Sequence, residues 1–256
     1  MGLALGLVPE ITRNDRKFNV NVTFKNIKST HLKYYKVQNY ESKVLGNTSF
    51  DFYSKMLSRQ FFGSKNGKET YNSESPLFKY YRETKNLTAY FDYNDFKRLW
   101  FLHCDMCGQK EGCSNNGYFR LDCNKCECPI PFAGNRCRHI YYNDLSKCGT
   151  QQEYIATSKW NRNTINITDA FCYYVIKSTT GKKVQVNLLE FSLSNRKDCP
   201  QKSGLEVKYR KDKGAGGLRS CTNYNETIYL PALTSELHFI FSEKGNNELK
   251  FSYKEV

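Results

Sequence analysis

Residues 1–16 read Met1-Gly-Leu-Ala-Leu-Gly-Leu-Val-Pro-Glu-Ile-Thr-Arg-Asn-Asp-Arg16. The apolar run is short and has no basic stretch before it, so it does not read as a secretory leader. It is also far short of the roughly 20 apolar residues that cross a bilayer, and no later run approaches that length. Downstream, Lys17 to Ile27 alternates in the manner of a half-buried strand, with Phe18, Val20, Val22 and Phe24 expected on one face. Residues 92–103 predict a helix. Asp92 is its expected N-cap, and Phe96, Leu99, Trp100 and His103 its expected apolar side.

Three stretches together resemble the astacin-type zinc endopeptidases, a metzincin family. The family pattern H-E-x-x-H-x-L-G-hydrophobic-x-H-E-x-x-R-x-D-R meets the first stretch at Leu5, Gly6, Glu10, Arg13, Asp15 and Arg16. Phe50-Asp-Phe-Tyr-Ser-Lys-Met-Leu-Ser58 resembles the Met-turn, Y-D-Y-x-S-x-M-H-Y, with Met56 in place as an apolar floor. The helix ending in Cys104 resembles the closing helix of that domain. The resemblance makes residues 1–104 the C-terminal half of a peptidase domain. The first zinc histidine, the general-base glutamate and the N-terminal sheet would fall before Met1, so the chain reads as N-terminally truncated.

The same residues argue against catalysis. The resemblance places the second zinc histidine on Leu3 and the third on Pro9, and neither side chain has a donor atom. Leu57 replaces a Met-turn histidine. Ser58 replaces the tyrosine that steadies the oxyanion, and its side chain is too short for that task. Astacin chemistry needs three imidazoles to hold Zn²⁺ and a glutamate to take the proton of the bound water. The four histidines, His31, His103, His139 and His238, have no ligand-like spacing. We therefore expect no catalytic residue, no metal ligand and no cofactor in this chain, with zinc a property of the family. The alternative is an active metalloendopeptidase whose sequence is in error at both Leu3 and Pro9. Glu10 keeps its family position, where it supports the turn after the zinc helix. No G-x-S-x-G elbow or phosphate-cradling loop occurs, and Asp212-Lys-Gly-Ala-Gly-Gly-Leu218 reads as a sandwich loop.

All 11 cysteines follow residue 103. Residues 105–140, with Cys113-Ser-Asn-Asn-Gly-Tyr118 and Cys126-Glu-Cys128 through Cys137, resemble an EGF-like module. The resemblance implies pairs 107–123, 113–126 and 128–137, each worth roughly 2–5 kcal/mol in so small a core. A competing reading pairs Cys104-x-x-Cys107 with Cys123-x-x-Cys126 as a zinc ribbon, but leaves Cys113, Cys128 and Cys137 without a role. Residues 148–256 resemble a CUB-type β-sandwich. Strands are expected at 183–191, 205–209, 237–241 and 249–253, with Cys172-Tyr-Tyr-Val-Ile176 matching a family motif. Implied pairs are 148–172 and 199–221, which leaves Cys104 unpaired. Lys202 stands near an expected calcium carboxylate, so no calcium site is expected. The fold class is thus multidomain α+β/all-β.

The formal charge is +14, from 39 Lys and Arg against 25 Asp and Glu. Such a balance suits a solvated basic surface or attraction to acidic glycans and anionic cell surfaces. No nucleic-acid motif stands out. Sequons at Asn21, Asn47, Asn86, Asn166 and Asn225, with the cysteine framework, suit a secreted glycoprotein. The expected partners are extracellular proteins or glycans, reached through the EGF-like and CUB-like segments.

Overall fold

The computed structural model describes residues 2–39, 47–85, 90–108, 112–193 and 204–256. Among the described residues the first third holds five 3₁₀ turns, over Gly2–Leu5, Glu10–Thr12, Arg16–Phe18, Phe24–Asn26 and Ser29–Tyr35. A short ladder joins β1 (Asn21–Val22) to β2 (Tyr71–Asn72), with Val22 opposite Tyr71. The strand expected across 17–27 is therefore reduced to two residues. Phe18 and Phe24 lie in 3₁₀ turns and are exposed, while Val20 is buried. The cause is where the backbone amides go. Those of Phe18, Asn19 and Val20 close back on the carbonyls of Asp15, Arg16 and Arg16 at 3.2, 2.8 and 2.8 Å.

Two helices follow, α1 (Phe78–Lys85) and α2 (Tyr93–His103). Asp92 caps α2 as expected. Its side chain and that of Asp95 form a reciprocal capping box, satisfying amides that have no partner inside the helix. The buried face is the expected one only in part, at Trp100 and the half-buried Leu99. Asn94, Asp95, Lys97, Arg98 and Trp100 are buried, whereas Phe96 and His103 are exposed. An apolar count misplaces most of this face because the helix packs into a polar network.

Residues 112–140 form two small hairpins. The first pairs β3 (Tyr118–Phe119) with β4 (Cys126–Glu127), and the second pairs β5 (Phe132–Ala133) with β6 (His139–Ile140). Disulfides join Cys107 to Cys123, Cys113 to Cys126, and Cys128 to Cys137, so these sulfurs form no four-thiolate zinc ribbon. Trp100, Phe119, Phe132 and buried cysteines make a small separate core here.

After α3 (Leu145–Cys148) comes a seven-stranded sheet: β7 (Glu153–Ala156), β8 (Asn161–Ser178), β9 (Val184–Leu193), β10 (Gly204–Lys208), β11 (Leu218–Ser220), β12 (Ile228–Leu230) and β13 (Glu236–Glu255). The strands expected at 237–241 and 249–253 are one element, β13, whose register shifts between Glu243 and Asn246. Its first half pairs with β10 and its second with β9, while β8 runs along nearly its whole other edge. That shift lets the sheet fold over itself as a half-barrel, as bulges do. Rings from the two halves then meet: Phe239 with Phe251 at 5.0 Å and Phe191 with Phe241 at 6.3 Å between centroids. Cys148 bridges to Cys172. Cys221 is also disulfide-bonded. Cys199, Lys202 and Asn86 lie outside the described residues.

One apolar core runs from Ile11, Phe50 and Tyr81 through to Val207, Phe239 and Phe251. The loop 212–217 locks the segments together and is buried throughout. Asp212 Oδ2 accepts from the Ser49 amide at 2.7 Å and from Asn94 Nδ2 at 2.9 Å. Arg210 donates to the Phe50 carbonyl at 2.7 Å, and the Gly216 amide donates to Asp51 Oδ2 at 3.2 Å. The Lys213 amide donates to Asn116 Oδ1 at 2.9 Å. Glycine at 216 follows from this closeness, since a Cβ there would overlap Tyr53 Cδ2.

Candidate functional site

The turn Gly2–Leu5, residues Pro9 and Ile11, and the turn at Met56 enclose a depression of about 660 Å³. Leu3, Pro9, Met56 and Ser58, four positions singled out from sequence, all line it. Tyr34, Phe62, Tyr90 and Phe91 supply aromatic walls, and Lys55 stands at its edge. Met56 sulfur lies so close to Gly2 that a Cβ there would require the flexible thioether to move.

Two anchors hold the Met56 turn. From one side, the Glu10 amide donates to the Met56 carbonyl at 2.8 Å. From the other, α2 presents Asp95. Its Oδ1 accepts from the Ser54 hydroxyl at 2.6 Å and its Oδ2 from the Lys55 amide at 2.9 Å. The Met56 amide in turn donates to Ser54 Oγ at 3.0 Å. The capping carboxylate of a helix thus also positions the floor of the cleft. Burial raises the pKa of Asp95 against the lowering effect of Arg98.

Behind the cleft lies a buried charge network. Arg98 grips Glu10 with both terminal nitrogens, Nη1 to Oε2 at 2.5 Å and Nη2 to Oε1 at 3.1 Å. Glu10 Oε1 also accepts from the Asp51 amide at 2.7 Å. Arg13 donates to the Thr48 carbonyl at 2.8 Å and to Asp15 Oδ2 at 2.7 Å. Glu10, Arg13, Asp51 and Arg98 are essentially without solvent contact. Such bidentate, charge-assisted pairs are the strong ones, and their shape fixes the backbone around them. Glu10 therefore acts on the cleft by shaping its floor.

Next to this network, desolvation pushes Asp51 up to about 7, helped by the charges of Asp92, Asp95 and Glu10. Glu206 moves the other way, to about 2. Desolvation opposes that shift, but the Arg219 and Lys208 charges outweigh it. Arg219 bonds Asp92 at 2.9 Å and covers the Tyr53 ring at 4.1 Å.

The cleft offers no metal donor set. Leu3 and Pro9 have none, Ser58 has one hydroxyl, and no group of three His, Cys, Asp or Glu that could hold a metal occurs among the described residues. His103 lies on the outer side of the first turn, its Nε2 2.7 Å from the Leu5 carbonyl. Zinc does not fit these residues. Sequence reasoning missed Ser54, Asp95 and Arg98, and also the aromatic walls. The Asp92-x-x-Asp95 spacing was the available signal for the first group. Nothing local marked Tyr34 or Phe91, which reach the cleft from distant segments.

No family model matches the chain. Among curated proteins it is 32% identical over 255 residues to zinc metalloproteinase nas-34 of Caenorhabditis elegans, covering 98% of this chain and 40% of that protein. It is 24% identical over 230 residues to protein SpAN of Strongylocentrotus purpuratus, covering 87% of this chain and 36% of that one. Blastula protease 10 of Paracentrotus lividus is 24% identical over 231 residues, covering 87% and 37%. The chain thus spans about two fifths of the length of these relatives.

Proposed function

We propose that this chain is a member of the astacin-like zinc metalloproteinases whose cleft has lost metal chemistry and serves recognition instead. The observation that carries this reading is the pairing of Leu3 and Pro9 across the Met56 floor, at the positions the family gives to zinc histidines. Apolar walls of this kind suit a bulky apolar side chain of an extended polypeptide, with burial as the driving force. In this reading the protein is secreted, residues 105–140 are an EGF-like module and residues 148–256 a CUB-like one. These two segments carry contacts to extracellular proteins or glycans. The disulfides, four of them with both cysteines among the described residues and a further one at Cys221, support an oxidising compartment. The described sequon residues Asn21, Asn47, Asn166 and Asn225 are all exposed, as glycosylation requires.

The test is zinc content by mass spectrometry together with turnover of broad-specificity fluorogenic peptides by this chain. The reading expects neither stoichiometric zinc nor chelator-sensitive cleavage. Cleavage abolished by chelator and regained with zinc would establish an active endopeptidase instead.

A further inference from the structure

Residues 16–39 and 59–68 carry nine basic residues and no acidic one. The fold brings the two stretches together. The Lys28 amide donates to the Gly63 carbonyl at 2.9 Å, the Lys65 amide to the Asn26 carbonyl at 2.9 Å, and Ile27 bridges Ser64. His31 and Tyr34 pack on Phe62 at 5.3 and 5.6 Å. On the joined surface Lys25, Lys28, Lys33, Lys36, Lys65 and Lys68 are exposed. None forms an ion pair among the described residues. The nearest carboxylate in sequence, Glu69, bonds Arg82 at 3.0 Å. Phe24, Tyr34 and Phe61 of the same two stretches are exposed, with Lys33 Nζ 5.1 Å from the Tyr34 ring and the Arg16 guanidinium 5.9 Å from the Phe24 ring.

We propose that this face binds a sulfated glycosaminoglycan chain. A run of unpaired ammonium groups concentrates potential that only a densely anionic polymer matches. Disulfides and exposed sequons favour an extracellular polyanion over nucleic acid, and anionic lipids are concentrated on the cytoplasmic leaflet. The choice of a glycan over other polyanions rests on the secreted reading above. The face meets the cleft only at the shared walls Tyr34 and Phe62, and none of its six exposed lysines lines the cleft, so zinc-dependent activity would leave the binding result standing.

The experiment is equilibrium binding of the 256-residue chain to heparin in 0.15 M NaCl. The triple variant Lys25→Glu, Lys28→Glu, Lys65→Glu is compared with a control that reverses the same charge elsewhere, Lys159→Glu, Lys183→Glu, Lys211→Glu. All six lysines are exposed, and unchanged circular dichroism verifies folding. The first triple should weaken binding roughly 100-fold, at the usual worth of a lysine against an anionic surface, and the control less than threefold. Equal losses would mean that net charge alone acts, and would overturn the proposal. Tighter binding to phosphatidylserine vesicles or to single-stranded DNA than to heparin would also overturn it.

Discussion

Glu10→Gln is nearly isosteric, yet it should be among the most damaging changes in this chain. The wild-type carboxylate faces both terminal nitrogens of Arg98 and the Asp51 amide, with all of these groups buried. Glutamine keeps one acceptor oxygen, but it turns an NH₂ toward the guanidinium and removes the charge. Arg98 keeps the Ser49 carbonyl and Thr48 Oγ1 at 3.1 Å each, with Asp95 3.6 Å away. Breaking one side of a buried pair costs about 3–5 kcal/mol, mostly from the charge left behind. In a domain of this size that lowers Tm by roughly 6–20 °C. Urea unfolding followed by tryptophan fluorescence, with the slope checked for constancy, measures it. Adding Arg98→Met should recover a large part of the loss, because the stranded charge is then gone. A cost below about 1 kcal/mol for Glu10→Gln alone would refute the claim that this pair holds the floor of the cleft.

Three other outcomes are expected. Asp51 holds its proton up to about pH 7 when folded, against 3.8 as its ordinary value. The folded state therefore binds more protons than the unfolded one in that window, and the contribution falls as pH rises from about 4 to 7. Asp51→Asn should remove a slope of up to about 1.4 kcal/mol per pH unit, read from urea midpoints at several pH values. Gly216→Ala should cost about 1–3 kcal/mol by forcing Tyr53 aside, whereas Gly112→Ala, with open space around it, should stay within about 0.5 kcal/mol in the same melt. The half-buried thiol of Cys104 is free; thiol titration in denaturant without reductant should find one group per chain, lost in Cys104→Ser.

The sequence alone carried the astacin-like resemblance, because motif residues such as Glu10, Arg13 and Met56 are read in order along the chain. It also carried the chemical objection to zinc, since the absence of donors at Leu3 and Pro9 depends on side-chain identity and on nothing else. The N-cap at Asp92 was legible for the same reason: the hydrogen bonds of a capping box are local. Tertiary structure decided the rest. The alternation at 17–27 promised a strand, but a strand needs a partner along its length, and β2 supplies only two residues. The apolar stripe of α2 found only Trp100 of the fully buried face, because Asp95 and Arg98 are satisfied by Ser54, Thr48 and Glu10 from far along the chain. The loop at Asp212 looked unremarkable until Ser49, Asn94 and Asp51 were placed around it. Even the cleft exists only in three dimensions, since Tyr34, Phe62 and Phe91 reach Met56 by long-range packing. Local hydrogen bonds and residue identity can be read from order alone; partners distant in sequence are chosen by the collapse of the whole chain.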